Sequence, residues 1–143
     1  MVIALCLCLV GLASAEEEEG EMRMLSLIIG DTPVQVEWEQ NESVDALVAL
    51  AAEQAIEIEM SMYGGFEQVG PIGQSLPRDD TQTTTRAGDI VLYSGDQIVV
   101  FYGSNSWAYT RIGRIVDKTD EELAALLGSG DVAITIAVAD DIV

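Results

Sequence analysis

The chain has 143 residues, and its 25 acidic and 6 basic residues give a formal net charge of −19. This length suits one domain with a single hydrophobic core, and the charge repels nucleic acid, so nucleic-acid binding is excluded. The absence of histidine excludes Ser-His-Asp and Cys-His catalytic sites. The only cysteines are Cys6 and Cys8, so we predict no disulfide, no metal site and no cofactor in the folded domain.

The N-terminal residues predict export. Residues 1–15 are uncharged and end in Ala13-Ser14-Ala15, a small-x-small pattern typical of signal peptidase cleavage. The run is shorter than the roughly 20 apolar residues that a membrane span needs. We therefore expect a signal peptide at 1–15, an acidic flexible spacer at 16–22 and a folded domain at 23–139, in a secreted or periplasmic protein without membrane insertion once the leader is removed. An apolar N-terminal strand or core helix is the alternative for 1–15.

The first half of the domain predicts strands around one helix. Residues 23–29 are apolar and residues 34–39 alternate between apolar and polar, on either side of a Gly30-Asp31 turn, which predicts a hairpin. Asn41 can cap a short helix, because apolar residues follow it at helical spacing. Alternation resumes over residues 56–62 and predicts a further strand.

The second half predicts a long loop followed by buried strands. Residues 64–85 are rich in glycine and proline without a sustained period, which indicates a loop. Two apolar runs, 90–93 and 98–102, predict a hairpin. Thr119 and Glu122 form a capping-box pattern for a second helix, and an alternating strand follows at 132–138. Seven or eight short strands with two short helices predict a mainly β domain closed into a barrel or barrel-like sandwich.

Several stretches together resemble the bacterial cyclophilin-like domain family. They are Gly73-Gln74-Ser75-Leu76-Pro77, Ala87-Gly88-Asp89-Ile90-Val91-Leu92-Tyr93, Phe101-Tyr102, Tyr109-Thr110-Arg111-Ile112-Gly113-Arg114 and Leu127-Gly128-Ser129-Gly130-Asp131-Val132. The resemblance covers residues 24–138 and implies a closed cyclophilin-like β-barrel of about eight strands with two short helices. It implies no shared reaction. True cyclophilins pair an arginine with Phe-His and Gln-Gly-Gly motifs, and this chain contains neither of those two motifs.

The candidate ligand-binding residues share an aromatic, thioether or polar side chain near the expected mouth of the barrel. They are Met60, Met62, Phe66, Gln74, Phe101, Tyr102, Tyr109 and Arg111. Methionines and aromatics make adaptable ligand surfaces. Each also has a structural interpretation: core packing for the methionines, loop shaping for Gln74, and for Arg111 an ion pair, which we favour over anion binding.

Three functions fit this pattern. The leading hypothesis is a binding module that offers a cleft to a peptide or small molecule. A weak peptidyl-prolyl cis-trans isomerase is the alternative, and it needs an arginine, Arg86 or Arg111, to reach the same cleft. A soluble accessory protein would instead have a filled barrel and an exposed apolar patch.

Overall fold

The structure is a computed structural model, and it describes residues 24–138. The predicted signal peptide and acidic spacer lie outside the described residues. In the part of the chain from residue 24 to residue 138, no helix is long and apolar enough to cross a membrane.

The described chain is mainly β and contains two helices, as the sequence predicted. The helices are α1 (Glu42–Glu53) and α2 (Asp120–Leu127). The strands are β1 (Leu25–Ile29), β2 (Thr32–Val34), β3 (Val36–Trp38), β4 (Ile56–Glu59), β5 (Ser61–Tyr63), β6 (Glu67–Pro71), β7 (Thr81–Thr84), β8 (Asp89–Tyr93), β9 (Gln97–Phe101), β10 (Ser106–Ile115) and β11 (Ala133–Val138).

The strands form two sheets. The large sheet has the order β3-β10-β8-β9-β6-β5, and β7 also pairs with β10. The small sheet has the order β2-β1-β11-β4. Every pairing between these strands is antiparallel.

The predicted closed barrel of about eight strands is wrong, because neither sheet of the described residues closes on itself. The chain instead links the sheets at both edges. Strands β2 and β3 are separated only by Gln35, and β4 and β5 only by Met60, so each pair is one extended segment that bends from the small sheet into the large one. These bends interrupt the hydrogen-bond ladders while still bringing the sheets face to face. The result is a barrel-like sandwich with more, shorter strands than the sequence pattern indicated.

The main core lies between the two sheets and beneath both helices. Leu27, Ile90, Ile98 and Ile136 are at most 1% exposed there, and helix α1 adds the fully buried Leu47. Burying this apolar surface is the dominant stabilising contribution to such a fold.

Both helices begin where the sequence predicted. The Asn41 side chain accepts a hydrogen bond from the Val44 amide at 2.9 Å. In α2 the Thr119 hydroxyl accepts from the Glu122 amide at 3.1 Å, while the Glu122 carboxylate accepts from the Thr119 amide at 2.8 Å. These caps satisfy backbone donors that have no partner inside a helix, which is why the local signals were sufficient.

The prediction of one long loop over residues 64–85 is also wrong, because β6 and β7 lie within it. Strand β6 buries Glu67 and Gln68 at 7% and 0% exposure. Two buried polar residues in succession hide the alternation that normally reveals a strand. The Gln68 side-chain amide compensates for its burial by donating to the carbonyls of Leu127 and Gly130 at 2.7 and 2.8 Å.

Candidate functional site

The outer face of the large sheet, turned away from the main core, is unusually apolar. Val91, Val99, Phe101 and Tyr109 form a second buried cluster, each at most 4% exposed. The outward face of a two-sheet protein is ordinarily polar. Strands β8 and β9 are therefore buried on both faces, which explains why their sequences read as continuous apolar runs.

A concave site lies over this second cluster, and we call it the aromatic groove. Its volume is about 420 Å³, within the usual range for small-molecule sites. The residues lining it come from β5, β6, β8, β9, β10 and their connections: Tyr63, Phe66, Glu67, Val69, Tyr93, Gln97, Val99, Asn105, Trp107 and Tyr109. Tyr63 and Trp107 are 64% and 56% exposed. The groove therefore presents aromatic surface that is open to a ligand.

Phe66 forms one wall because Gly64 and Gly103 leave room for it. Gly64 has φ +68°, and a Cβ atom there would lie 2.3 Å from the Phe66 ring. The Phe66 carbonyl accepts hydrogen bonds from the amides of Tyr102 and Gly103 at 2.9 and 3.0 Å. The ring then stacks on Phe101 with centroids 6.4 Å apart and meets Tyr63 edge-on at 6.1 Å. The wall is thus fixed by backbone contacts as well as by packing.

Tyr109 is held at the opposite side by a hydrogen-bonded connection. The Asn105 side-chain amide donates to the Tyr109 hydroxyl at 2.7 Å. The Asn105 backbone is itself anchored to Thr85. Its backbone amide donates to the Thr85 hydroxyl at 3.0 Å, and its backbone carbonyl accepts from the Thr85 backbone amide at 2.9 Å. Tyr109 packs edge-on against Phe101 and Tyr93, with centroids 5.6 and 6.3 Å apart. The rings are therefore positioned before any ligand arrives.

Glu67 is the one charged residue among those lining the groove. In the sheet register it stands opposite Tyr63 of β5 and Phe101 of β9, so aromatic residues flank it on both sides. It is 7% exposed, and within residues 24–138 its carboxylate accepts no hydrogen bond and joins no ion pair. Burial raises the pKa of Glu67 from 4.5 to about 7. Burial also raises the pKa of Tyr109; the Asn105 hydrogen bond opposes this rise, and the nearby Glu67 charge adds to it.

A second buried carboxylate, Asp89, is fully paired instead. It is 0% exposed and meets the Arg114 guanidinium at 2.8 Å and the Arg111 guanidinium at 3.2 Å. It also accepts from the Arg86 amide at 3.0 Å. Arg111 therefore makes the ion pair that we favoured for it from the sequence. Its positive charge is compensated by the buried Asp89 carboxylate.

A second hollow of about 600 Å³ lies between the start of α1 and strands β7 and β10. Its lining is polar, and its groups largely satisfy one another: Arg78 pairs with Asp80 at 3.1 Å, and the Thr110 hydroxyl donates to Asp80 at 2.6 Å. Arg111 lines this hollow rather than the aromatic groove. No aromatic residue is among those lining this hollow, which makes it the weaker candidate for ligand binding.

The structure brings together only part of the predicted site. Phe66 and Tyr109 line the aromatic groove, and Phe101 lies buried beneath them. The remaining candidates lie elsewhere.

Met60 is 2% exposed in the main core, and Tyr102 packs against that core. Met62 and Gln74 are exposed outside the groove lining. Met60 and Met62 do not share one wall, because the bend between β4 and β5 separates them.

The predicted site residues did not include Tyr63, Glu67, Tyr93 or Trp107, which line the groove. Tyr63 and Glu67 fall within or beside a segment that was interpreted as a loop, and Tyr93 ends an apolar run that was interpreted as core. One signal was present: an aromatic residue directly precedes the carboxylate in Phe66-Glu67. The strand register that places these residues together is not visible in the sequence.

The described residues form a small, mainly β protein with two helices. A model of the cyclophilin-like family matches residues 27–137. The chain belongs to this family, as its sequence motifs indicated. A comparison with curated proteins finds no match.

Proposed function

We propose that the protein is a binding module whose aromatic groove accepts a small molecule or a peptide side chain. The observation that carries this proposal is an open, preformed groove with exposed Tyr63 and Trp107 above a second buried cluster. Exposed large aromatic residues beside a concave surface favour ligand contact, because they offer contact area that water solvates poorly. The accessory hypothesis expected a filled barrel, no cleft and an exposed apolar patch. The space between the sheets is filled and aromatic side chains are exposed, so the concave groove on the outer face is the feature that favours a binding module.

The isomerase alternative has less support. It requires a cation beside the ligand's amide, and no arginine or lysine is among the residues lining the aromatic groove. Arg111 is paired with Asp89, and Arg86 is exposed outside the groove. The groove can hold a proline ring by apolar contact, but it offers no positive charge to weaken amide resonance.

Amide-shift mapping of the full chain tests the proposal. Capped peptides with a central proline, phenylalanine or leucine are titrated, and proline isomer exchange is measured in the same samples. We expect shifts at groove residues such as Tyr93 and Gln97 without faster isomer exchange. Trp107→Ala should weaken the binding that these shifts report by about tenfold or more, whereas the matched variant Val116→Ala, which shortens an exposed side chain outside the groove, should preserve it. Faster exchange would establish the isomerase, and shifts confined to the second hollow would contradict the proposed site.

We also propose that the protein acts outside the cytoplasm, on the basis of the leader-like residues 1–15. Mass measurement of the protein recovered from its native cells should give an N-terminus at Glu16. Recovery with residues 1–15 attached would contradict export by signal peptidase cleavage.

A further inference from the structure

We propose that the ligand of the aromatic groove carries an alkylated ammonium group, bound between the Glu67 carboxylate and the surrounding aromatic rings. This inference rests on the proposed function, because it takes the groove as a binding site and specifies the chemistry of what enters it.

The first observation is a buried carboxylate that lacks a partner. Glu67 is 7% exposed, yet within residues 24–138 it accepts no hydrogen bond and meets no cation. The buried carboxylate Asp89 meets two arginines. Among the described residues, the Tyr102 hydroxyl is the one side-chain nitrogen or oxygen atom that is both fully enclosed and without a hydrogen-bond partner. The Glu67 oxygens also lack a partner, so they are not fully enclosed and remain open to the groove. A desolvated charge without a partner is costly. A bound cation would remove that cost.

The second observation is the aromatic surface around this carboxylate. Tyr63 and Phe101 stand opposite Glu67 on the two neighbouring strands. The aromatic residues lining the groove are Tyr63, Phe66, Tyr93, Trp107 and Tyr109, whereas Phe101 lies fully buried beneath them. Aromatic faces attract cations through their quadrupoles, and they favour alkylated ammonium groups in particular because such groups are weakly hydrated. A small inorganic cation would keep its water shell and gain little from these rings.

The third observation is charge complementarity. Glu67 supplies the only formal charge among the residues lining the groove, and the whole chain carries a net charge of −19. Such a field raises the local concentration of cations and repels anions. A neutral apolar ligand would fit the groove as well, but it would cover the Glu67 carboxylate without compensating its charge.

The titration of Glu67 gives the site a characteristic pH dependence. Burial raises the pKa of Glu67 to about 7, so the carboxylate is ionised at pH 8 and largely protonated at pH 5. The other ionisable side chains lining the groove are the phenols of Tyr63, Tyr93 and Tyr109, and Glu67 is the only carboxyl group among the lining residues. The charge of Glu67 therefore distinguishes the groove at pH 8 from the groove at pH 5.

Choline and its neutral isostere 3,3-dimethylbutan-1-ol are the probes that separate charge from shape. Both are titrated into the full chain, with affinity taken from Trp107 indole shifts. At pH 8 we expect choline to bind at least about tenfold more tightly than the isostere. This preference should fall severalfold at pH 5 and in Glu67→Gln, which leave only the part that the aromatic rings supply. It should persist in Glu57→Gln, which removes one negative charge from an exposed position on β4.

The outcomes distinguish this inference from the proposed function. Equal affinity of the unchanged protein for choline and the isostere overturns the ammonium proposal. A choline preference that Glu67→Gln leaves undiminished overturns the pairing with Glu67, and groove binding stands in both cases. If proline or phenylalanine peptides bind and choline does not, the ammonium proposal is likewise overturned. If no probe shifts any groove residue, the proposed function fails as well.

A free ammonium compound and a methylated lysine in a peptide share this head group. A trimethyllysine peptide is therefore compared with choline at pH 8. Tighter peptide binding, with added shifts beyond the groove, supports a protein chain as the source, and equal binding supports a small molecule.

Discussion

Replacing Glu67 by glutamine should make the protein more stable, and increasingly so as the pH rises. Burial raises the pKa of this carboxyl from 4.5 to about 7, so the folded chain holds the proton to higher pH than the unfolded chain. The contribution of Glu67 is therefore near zero below about pH 4.5 and becomes destabilising as the pH rises to 7. Glutamine has a similar shape and no charge, so it avoids this penalty.

The magnitude follows from the pKa difference. One pKa unit corresponds to about 1.4 kcal/mol, so linkage gives Glu67→Gln an advantage in unfolding free energy of about 1 kcal/mol at pH 5 and about 3 kcal/mol at pH 8. The second value is an upper bound, because water in the groove partly solvates the carboxylate. Glu57→Gln makes the same change in net charge at an exposed site and should shift stability by less than about 0.5 kcal/mol at either pH.

Urea unfolding followed by tryptophan fluorescence at pH 5 and pH 8 measures both differences. The reasoning is refuted if Glu67→Gln gains the same free energy at both pH values, or if it is destabilised at pH 8. The first result would mean that desolvation of the charge is not the cause. The second would mean that Glu67 has a stabilising partner in the folded chain.

Three further substitutions test how the groove is built. Trp107→Ala should weaken ligand binding by about tenfold or more in the shift titration, with unfolding free energy changed by less than about 0.5 kcal/mol because the side chain is 56% exposed. Arg114→Ala should cost about 3 kcal/mol in urea unfolding, because Asp89 loses its 2.8 Å partner, while the remaining folded protein should bind ligand normally. Gly64→Ala should cost about 1–3 kcal/mol and also weaken binding, because the added Cβ clashes with the Phe66 ring. Unchanged binding in Gly64→Ala would contradict the role given to that wall.

The parts of the fold that the sequence predicted are those determined by neighbouring residues. Asn41 and the Thr119 capping box mark helix starts by contacts spanning three residues. The alternation of residues 132–138 likewise predicted β11 because one face of that strand is apolar. Local signals were sufficient wherever the buried residues of an element are apolar and its exposed residues are polar.

The division into two sheets was not predictable in the same way. It depends on bends at Gln35 and Met60, whose neighbours come from distant parts of the chain: the Val116 amide donates to the Gln35 carbonyl, and the Met60 amide donates to the Val132 carbonyl. Strand β6 escaped detection because Glu67 is polar and buried. A buried carboxylate placed in a strand thus concealed both the strand and itself.

The candidate site shows the same pattern. The sequence predicted Phe66, Phe101 and Tyr109 as ligand-binding residues because they are aromatic. In the structure, Phe66 and Tyr109 line the groove and Phe101 lies beneath them. Glu67 was not identified, because the strand register that sets it opposite Tyr63 is not visible in the sequence. Residue type can nominate a site, but only strand pairing determines which members share a face.

The indole N–H signals of the two tryptophans test the central claim most directly within one spectrum. Trp107 lines the aromatic groove, whereas the Trp38 indole donates to the Leu25 carbonyl at 3.2 Å, outside the groove lining. When choline or a capped proline peptide is titrated at pH 8, we expect the Trp107 signal to shift and saturate while the Trp38 signal stays in place. A shift of Trp38 without Trp107, or saturable backbone shifts confined to the second hollow, would contradict this claim.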